Sequence, residues 1–297
     1  MKKVAKKDLT KLLGQWQKEF TVFVPARDGG VAAMKTWDGQ DTGFLDWYRN
    51  TAIPPKANFL LNLEKMFGFS KEGSSYKLET PPADAARQLI FGIRPCDARA
   101  IGIIDMVFKD AYEDKYYLSR RQNSLLVGLG CLRPYDSCFC TSLGFGPAEA
   151  KDVDLMLTDI GDAFLIEEIT DKGKELMAGT EGATGAAKED EAKAAEVKAS
   201  AGAKVTRKID TKTIMERLPA AFDNEAFWKK VAAKCVSCGI CTFLCPTCYC
   251  FDINDEMLRG DGARYRNWDS CSFPLYTKMP AENPREAKWR RVRQKVN

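Results

Sequence analysis

Two apolar runs of strand length stand out in the first half of the chain, QLIFGI at 88–93 and NSLLVGLG at 123–130. Between them lies ARAIGIIDMVF, a helical stretch that Asp97 is placed to cap. Neither run alternates polar and apolar positions, so each strand needs cover on both faces, and the trio predicts a parallel βαβ unit. Upstream, Asp8 is a candidate N-cap for the amphipathic LTKLLGQWQKEF, and TVFVP is a short β-branched run. Residues 26–87 are broken up by Gly and Pro and carry little readable chemistry. Residues 154–176 read as a hairpin followed by a helix. The next stretch, 178–204, has ten alanines and no aromatic residue. So little large apolar surface cannot offset ordering entropy, which predicts an exposed insertion or linker.

A length of 297 residues suits two domains. The pattern divides them into a mixed α/β domain over 1–177, an Ala/Glu/Lys-rich linker over 178–206 and a second domain over 207–297. Composition changes the picture at one point, which is eleven cysteines and no histidine. An odd count excludes a complete intramolecular disulfide framework. The missing imidazole excludes Cys-His and Ser-His nucleophilic pairs, His-ligated zinc hydrolases and His-ligated haem. The N-terminal MKKVAKKDLTKLLGQW lacks the apolar core and cleavage site of a secretory signal. No apolar run approaches the roughly 18 residues of a membrane span. The expectation is a cytoplasmic protein in a reducing compartment, where clustered thiols hold metal more readily than they pair.

Each apolar strand ends in a cysteine, Cys96 and Cys131, and the loop SCFC adds Cys138 and Cys140. Ligands of open α/β sheets collect at the carboxyl ends of the strands, so four thiols are expected to converge there as metal ligands. The plainer reading is four buried structural cysteines, which act as small hydrophobes. These four lie in loops and not within the apolar runs, which favours a cluster, with zinc as the runner-up metal.

Residues 235–250 read CVSCGICTFLCPTCYC. The spacing Cys235-x2-Cys238-x2-Cys241-x3-Cys245-Pro246 is the ligand run of bacterial ferredoxins. Two-residue gaps let a short loop curl around a cubane so that its sulfurs point inward. Gly239 allows the tight turn, and Pro246 redirects the chain. Zinc modules instead pair two CxxC units across a dozen or more residues. The fourth cysteine of such a run ligates the neighbouring cluster, so Cys245 predicts a second one. Cys248, Cys250 and Cys271 are then candidate ligands; either they complete the set, or a further cysteine run lies beyond the ending RRVRQKVN.

The basic stretch PREAKWRRVRQK reads as a solvated helix face or as a docking surface for an acidic partner. Arg120 and Arg121 read as surface salt-bridge residues, with an anion site as the sharper alternative. No nucleic-acid module accompanies the basic stretch. The formal charge of +4 belongs to the apoprotein. A cubane with four thiolates carries about −2, so three clusters would bring the chain to roughly −2.

Taken together, GIRPCDARAIGIIDMVF, DKYYLSRR, GCLRPYDSCFCTSLGFGP, CVSCGICTFLCPTCYCFDI and RNWDSCSFP resemble a family of iron-sulfur electron-transfer subunits. Its members include the beta subunit of cytoplasmic sulfhydrogenases, the corresponding iron-sulfur component of anaerobic sulfite reductase, and the ferredoxin-like component of flavin oxidoreductase complexes. The last branch is the most similar. The resemblance implies an α/β N-terminal domain and an α-helical dicluster ferredoxin-like C-terminal module, with a helical insert between two cysteine runs. It implies two or three 4Fe-4S clusters and anaerobic electron transfer from a flavoprotein that carries FAD and binds NAD(P)H. The acceptor would be a heterodisulfide reductase-like, hydrogenase or sulfite reductase subunit. No GxGxxG or phosphate loop points to a nucleotide or flavin on this chain, which would be a non-catalytic relay. A rival of another class is a zinc-stabilised interaction module.

Overall fold

The computed structural model describes residues 1–40, 42–80 and 86–296. Along the chain run β1 (Lys2–Ala5), α1 (Leu9–Trp16), β2 (Thr21–Asp28), β3 (Val31–Thr36), α2 (Phe44–Trp47), β4 (Leu63–Glu72), β5 (Ser75–Glu79) and β6 (Gln88–Ile93). There follow α3 (Pro95–Phe108), α4 (Lys115–Gln122), β7 (Ser124–Leu129), β8 (Leu155–Asp159), β9 (Ala163–Glu168), α5 (Asp171–Ala178), β10 (Thr184–Gly185) and α6 (Lys188–Ala203). The last are α7 (Ile214–Ala220), α8 (Glu225–Val231), α9 (Ile240–Phe243), β11 (Phe251–Leu258), β12 (Asp261–Trp268) and α10 (Lys288–Val296). They form two compact units, Met1–Phe59 with Ala83–Ile209, and Leu60–Pro82 with Asp210–Asn297.

The first unit is built on an eight-stranded sheet in the order β10-β1-β9-β8-β7-β6-β2-β3. Its centre is parallel, with β2 on β6, β6 on β7 and β7 on β8. Every residue of β6 and β7 is buried, as two uniformly apolar strands require. The predicted βαβ unit is therefore present, and its strands are neighbours. Its helix starts earlier than expected. Arg94 is the extended N-cap and Pro95 takes the first turn, which needs no N–H donor there, while Asp97 lies inside that turn and is buried. Gly92 has φ +82° at a register shift between Phe91 and Ile93, a bulge that turns the end of β6 toward Arg94.

The alanine-rich stretch differs from the expected linker. Residues 188–203 form α6, with Ala194 and Ala201 buried. Ala194 packs on Ile160, Ala163 and Leu165. Alanine has the best helix propensity, and its small side chain lets the helix lie close to the sheet. Glu189, Asp190 and Glu191 occupy the first turn, where they suit the helix dipole, and Lys3 bonds Asp190 at 2.7 Å.

The second unit corrects the expectation of an α-helical module. It holds a four-stranded antiparallel sheet in the order β11-β12-β4-β5, and the segment after the cysteine run is the hairpin of β11 and β12, not a helical insert. Residues 60–82, far from the cysteine run in sequence, thus belong to this unit. A buried ion pair joins β4 to β12, with Arg266 Nε 3.1 Å from Glu64 Oε2. Trp268 Nε1 donates to the Leu60 carbonyl at 3.0 Å. Trp228 of α8 is buried and donates to the Ala221 carbonyl at 2.8 Å.

Candidate iron-sulfur centres

In the first unit Cys96 begins α3 just past β6, and Cys131 lies just past β7. The loop that follows brings Cys138 and Cys140 back to them. All four thiols line one cavity of about 250 Å³, with Pro95, Pro134, Phe139, Leu143, Phe145 and Pro147 among the other walls. Backbone N–H groups point at the sulfurs. Tyr135 N donates to Cys138 Sγ at 3.3 Å, while Asp97, Arg133 and Thr141 supply N–H bonds to Cys96, Cys131 and Cys140. Such bonds stabilise thiolate charge and tune a cluster's potential.

Burial pushes the thiols of Cys96, Cys131 and Cys140 up, and neighbouring thiols of the group push each of them further by charge repulsion. Cys96 reaches solvent at the cavity mouth, yet enough protein surrounds it to raise it strongly. Four thiolates would be unstable there alone, so the donor set calls for a cationic core to hold them. Among the described residues no three Cys, Asp or Glu groups close tightly enough around one point for a single metal ion. The arrangement is an open cradle, and its all-sulfur donor set, N–H bonds and apolar walls fit a 4Fe-4S cluster.

Arg94 holds this cradle together. Its guanidinium is buried and donates to the carbonyls of Arg49 (2.7 Å), Tyr48 (2.9 Å), Leu129 (2.9 Å) and Gly130 (2.8 Å), and it stacks 4.1 Å over the Tyr48 ring. Its charge also lowers Cys131 against the effect of burial. Asp97 is pushed up to about 7 by burial, with Arg94 and Asn50 opposing. Arg49 braces the cysteine loop, bonding the Arg133 carbonyl at 3.0 Å and stacking 3.9 Å from the Tyr135 ring. Arg120 and Arg121 lie elsewhere, and Arg121 pairs with Asp105 at 3.0 Å.

In the second unit Cys235 and Cys238 lead into α9, and Cys241 lies within it. Cys238 and Cys241 are exposed, and Cys235 accepts the Ser237 N–H at 3.4 Å. The other four cysteines gather near Lys295. Cys245 bonds Cys248, Cys250 bonds Cys271, and the Lys295 ammonium donates to Cys248 at 3.1 Å. The bond from Cys248, aided by Thr247 and Lys295, lowers Cys245 to about 4. The bond from Cys271 lowers Cys250 to about 6, and Cys248 and Cys271 rise as the proton-bearing partners. Burial alone would lower Lys295, but Cys248, Cys245 and Cys241 raise it.

The basic C-terminal stretch therefore differs from a solvated face. Arg291 is buried and donates to the Ser272 carbonyl at 3.1 Å and the Arg285 carbonyl at 2.9 Å. Lys295 turns into the thiol group. Sequence reasoning passed over Arg94, Arg291 and Lys295, because a cation that caps carbonyls or thiolates looks locally like any surface cation.

Gly239 is the N-cap of α9 with φ +75°, and a Cβ there would lie 2.6 Å from Phe273 Cε1. Gly239→Ala is expected to cost about 1–3 kcal/mol locally. The loop should then hold its iron less well, read as a faster loss of the iron-thiolate absorption to a chelator than in the wild type. An unchanged rate would show that the turn does not support the ligand loop.

A family described as a 4Fe-4S dicluster domain matches residues 234–297. The sulfhydrogenase 2 beta subunit of Pyrococcus furiosus is 31% identical over 258 residues, covering 86% of this chain and 74% of that protein. The chain belongs to the sulfhydrogenase beta-subunit family. No solved structure matches it significantly. Membership makes it an iron-sulfur, electron-transfer subunit of an oxidoreductase, as its motifs led us to expect. Among the described residues no helix is long and apolar enough to cross a membrane.

Proposed function

We propose that this subunit relays electrons one at a time through two or three 4Fe-4S clusters. One would be held by Cys96, Cys131, Cys138 and Cys140. Another would be held by Cys235, Cys238 and Cys241, with Cys245 serving the adjacent cluster. The observation that carries this reading is the convergence of four thiols from two strand ends and a loop on one cavity. Bound clusters would supply reversible one-electron chemistry. The chain's own residues supply thiolate ligands, N–H bonds to the sulfurs, and cations at the buried Arg94 and the half-buried Lys295 that offset negative charge.

On the donor side we place a flavoprotein that carries FAD and binds NAD(P)H. On the acceptor side, the likeness to a sulfhydrogenase beta subunit supports a hydrogenase-type partner over a heterodisulfide reductase-like or sulfite reductase one. Anaerobically purified protein should contain about eight to twelve iron atoms and as much acid-labile sulfide per chain, and should bleach on reduction. Zinc without sulfide, in a colourless preparation, would instead establish the interaction-module reading. Isolation from the native host should recover a flavoprotein and a hydrogenase-type subunit. Recovery of only a siroheme protein would move the chain to the sulfite reductase branch.

A further inference from the structure

The cavity that holds the four thiols of the first unit is open to solvent through an apolar rim. Phe139 and Leu143 line it while staying 37% and 53% exposed, and Tyr135 of the same loop is 44% exposed. Cations from two other segments gather on this loop, residues 132–142. From one, Arg49 bonds the Arg133 carbonyl and stacks on Tyr135, and it shares a cavity of about 540 Å³ with Arg27, which stacks 4.5 Å over Trp47. From the other, Lys204 Nζ donates to the Leu132 carbonyl at 3.2 Å and Lys208 Nζ to Thr141 Oγ1 at 3.1 Å. Arg207, between them in sequence, stands 5.9 Å over the Phe139 ring. Against these five and its own Arg133, the loop sets a single carboxylate, Asp136. Among the described residues none of the six cations is in an ion pair.

Exposed apolar side chains inside a polar rim mark a contact surface, and here the rim has one sign of charge. A cubane with four thiolates carries about −2 and by itself would repel an acidic protein; the six cations reverse that sign around the loop. We propose that this face docks an acidic electron-transfer protein, and that the partner is the donor flavoprotein, which rests on the relay function proposed above. The exposed rings and Leu143 make the contact, while the cations steer the approach. One electron leaves the reduced donor there and enters the oxidised cluster of the cradle, with no bond made or broken. Redox encounters are small and weak, so complementary charge chiefly raises the rate of association.

The test uses the full chain, purified anaerobically with its iron and sulfide measured, and photoreduced flavodoxin, an acidic flavoprotein, as the donor probe. Stopped-flow reduction should slow about tenfold or more between roughly 20 and 500 mM salt. The double variant Arg207→Glu/Lys208→Glu should react about tenfold more slowly than wild type at low salt and equally fast at high salt, with wild-type iron. Arg27→Glu, on the other segment, should show the same pattern more weakly, and it decides the matter if the double variant loses iron. Reduction by the methyl viologen radical, a small cation, should not slow in either. Lys11→Glu/Lys18→Glu changes the charge equally on α1 and the turn after it, which lead to the start of β2, whereas the thiols lie past the strand ends. It should leave the flavodoxin rate unaltered. A rate independent of salt would overturn the proposal, as would equal slowing with both reductants. So would a full flavodoxin rate in Cys131→Ser, which would place the contact on the second unit. Wild-type protein without iron or sulfide would instead sink the relay reading, an outcome read before any kinetics.

Discussion

Cys131→Ser protein, purified without oxygen, is expected to lose about four iron and four sulfide atoms per chain while the rest of its iron stays bound. Cys131 sits just past β7 on the wall of the four-thiol cavity, and the Arg133 N–H is already directed at its sulfur. Serine preserves the loop but offers a hydroxyl that resists ionisation and binds iron poorly. One ligand lost from a set of four thus empties the site. The other cysteines of the chain lie in the second unit, so their iron should remain. Cys138→Ser should behave alike, since its sulfur lines the same cavity. Iron and sulfide assays with electron paramagnetic resonance of the reduced protein check this. Unchanged iron in both variants would show that the cavity holds no cluster.

Arg94→Met is expected to disrupt the first unit outright. It removes the buried guanidinium now shared by four carbonyls, those of Tyr48, Arg49, Leu129 and Gly130, and leaves that of Tyr48 with a long 3.5 Å bond from Arg133. An unmet buried acceptor costs about 1–3 kcal/mol, so even partial rescue by water leaves a loss of several kcal/mol. A typical domain has only about 5–15 kcal/mol to lose. Arg94→Lys should rescue little, because one ammonium has three donors and cannot span four carbonyls in a plane. Hydrogen exchange is the suitable measurement, since a chain of two units need not unfold in one step. The amides of β6 and β7 should lose protection by several hundredfold or more, while those of β12 keep theirs. Equal protection in wild type and variant would mean that the cavity wall stands without Arg94.

How far the sequence was legible depended on the range of the interactions involved. QLIFGI and SLLVGL declared themselves as buried parallel strands because a uniformly apolar run has one stable surrounding. From that pairing followed the nearness of Cys96 and Cys131. The stretch 178–204 misled because burial by alanine needs close approach more than large side chains, and Ala194 achieves it against Ile160, Ala163 and Leu165 of the β8–β9 hairpin, with Ala201 buried as well. The second unit misled for a different reason. Its β4 strand pairs with β12 about 200 residues away, and Glu64 reaches Arg266 across a separation of 202. Nothing local to either segment marks that partner.

By itself the sequence determined the thiol chemistry. Eleven cysteines without histidine, and the spacing from Cys235 to Cys245, are local properties that carry their meaning wherever the loop sits. Tertiary structure alone decided which sulfurs meet. It closed four of them around one cavity, brought Cys250 and Cys271 to the same end of a hairpin, and turned Arg94, Arg291 and Lys295 inward. The physical reason is that a buried cation or thiol takes its role from carbonyls and charges on other strands. Those arrive only when segments far apart in the chain are paired.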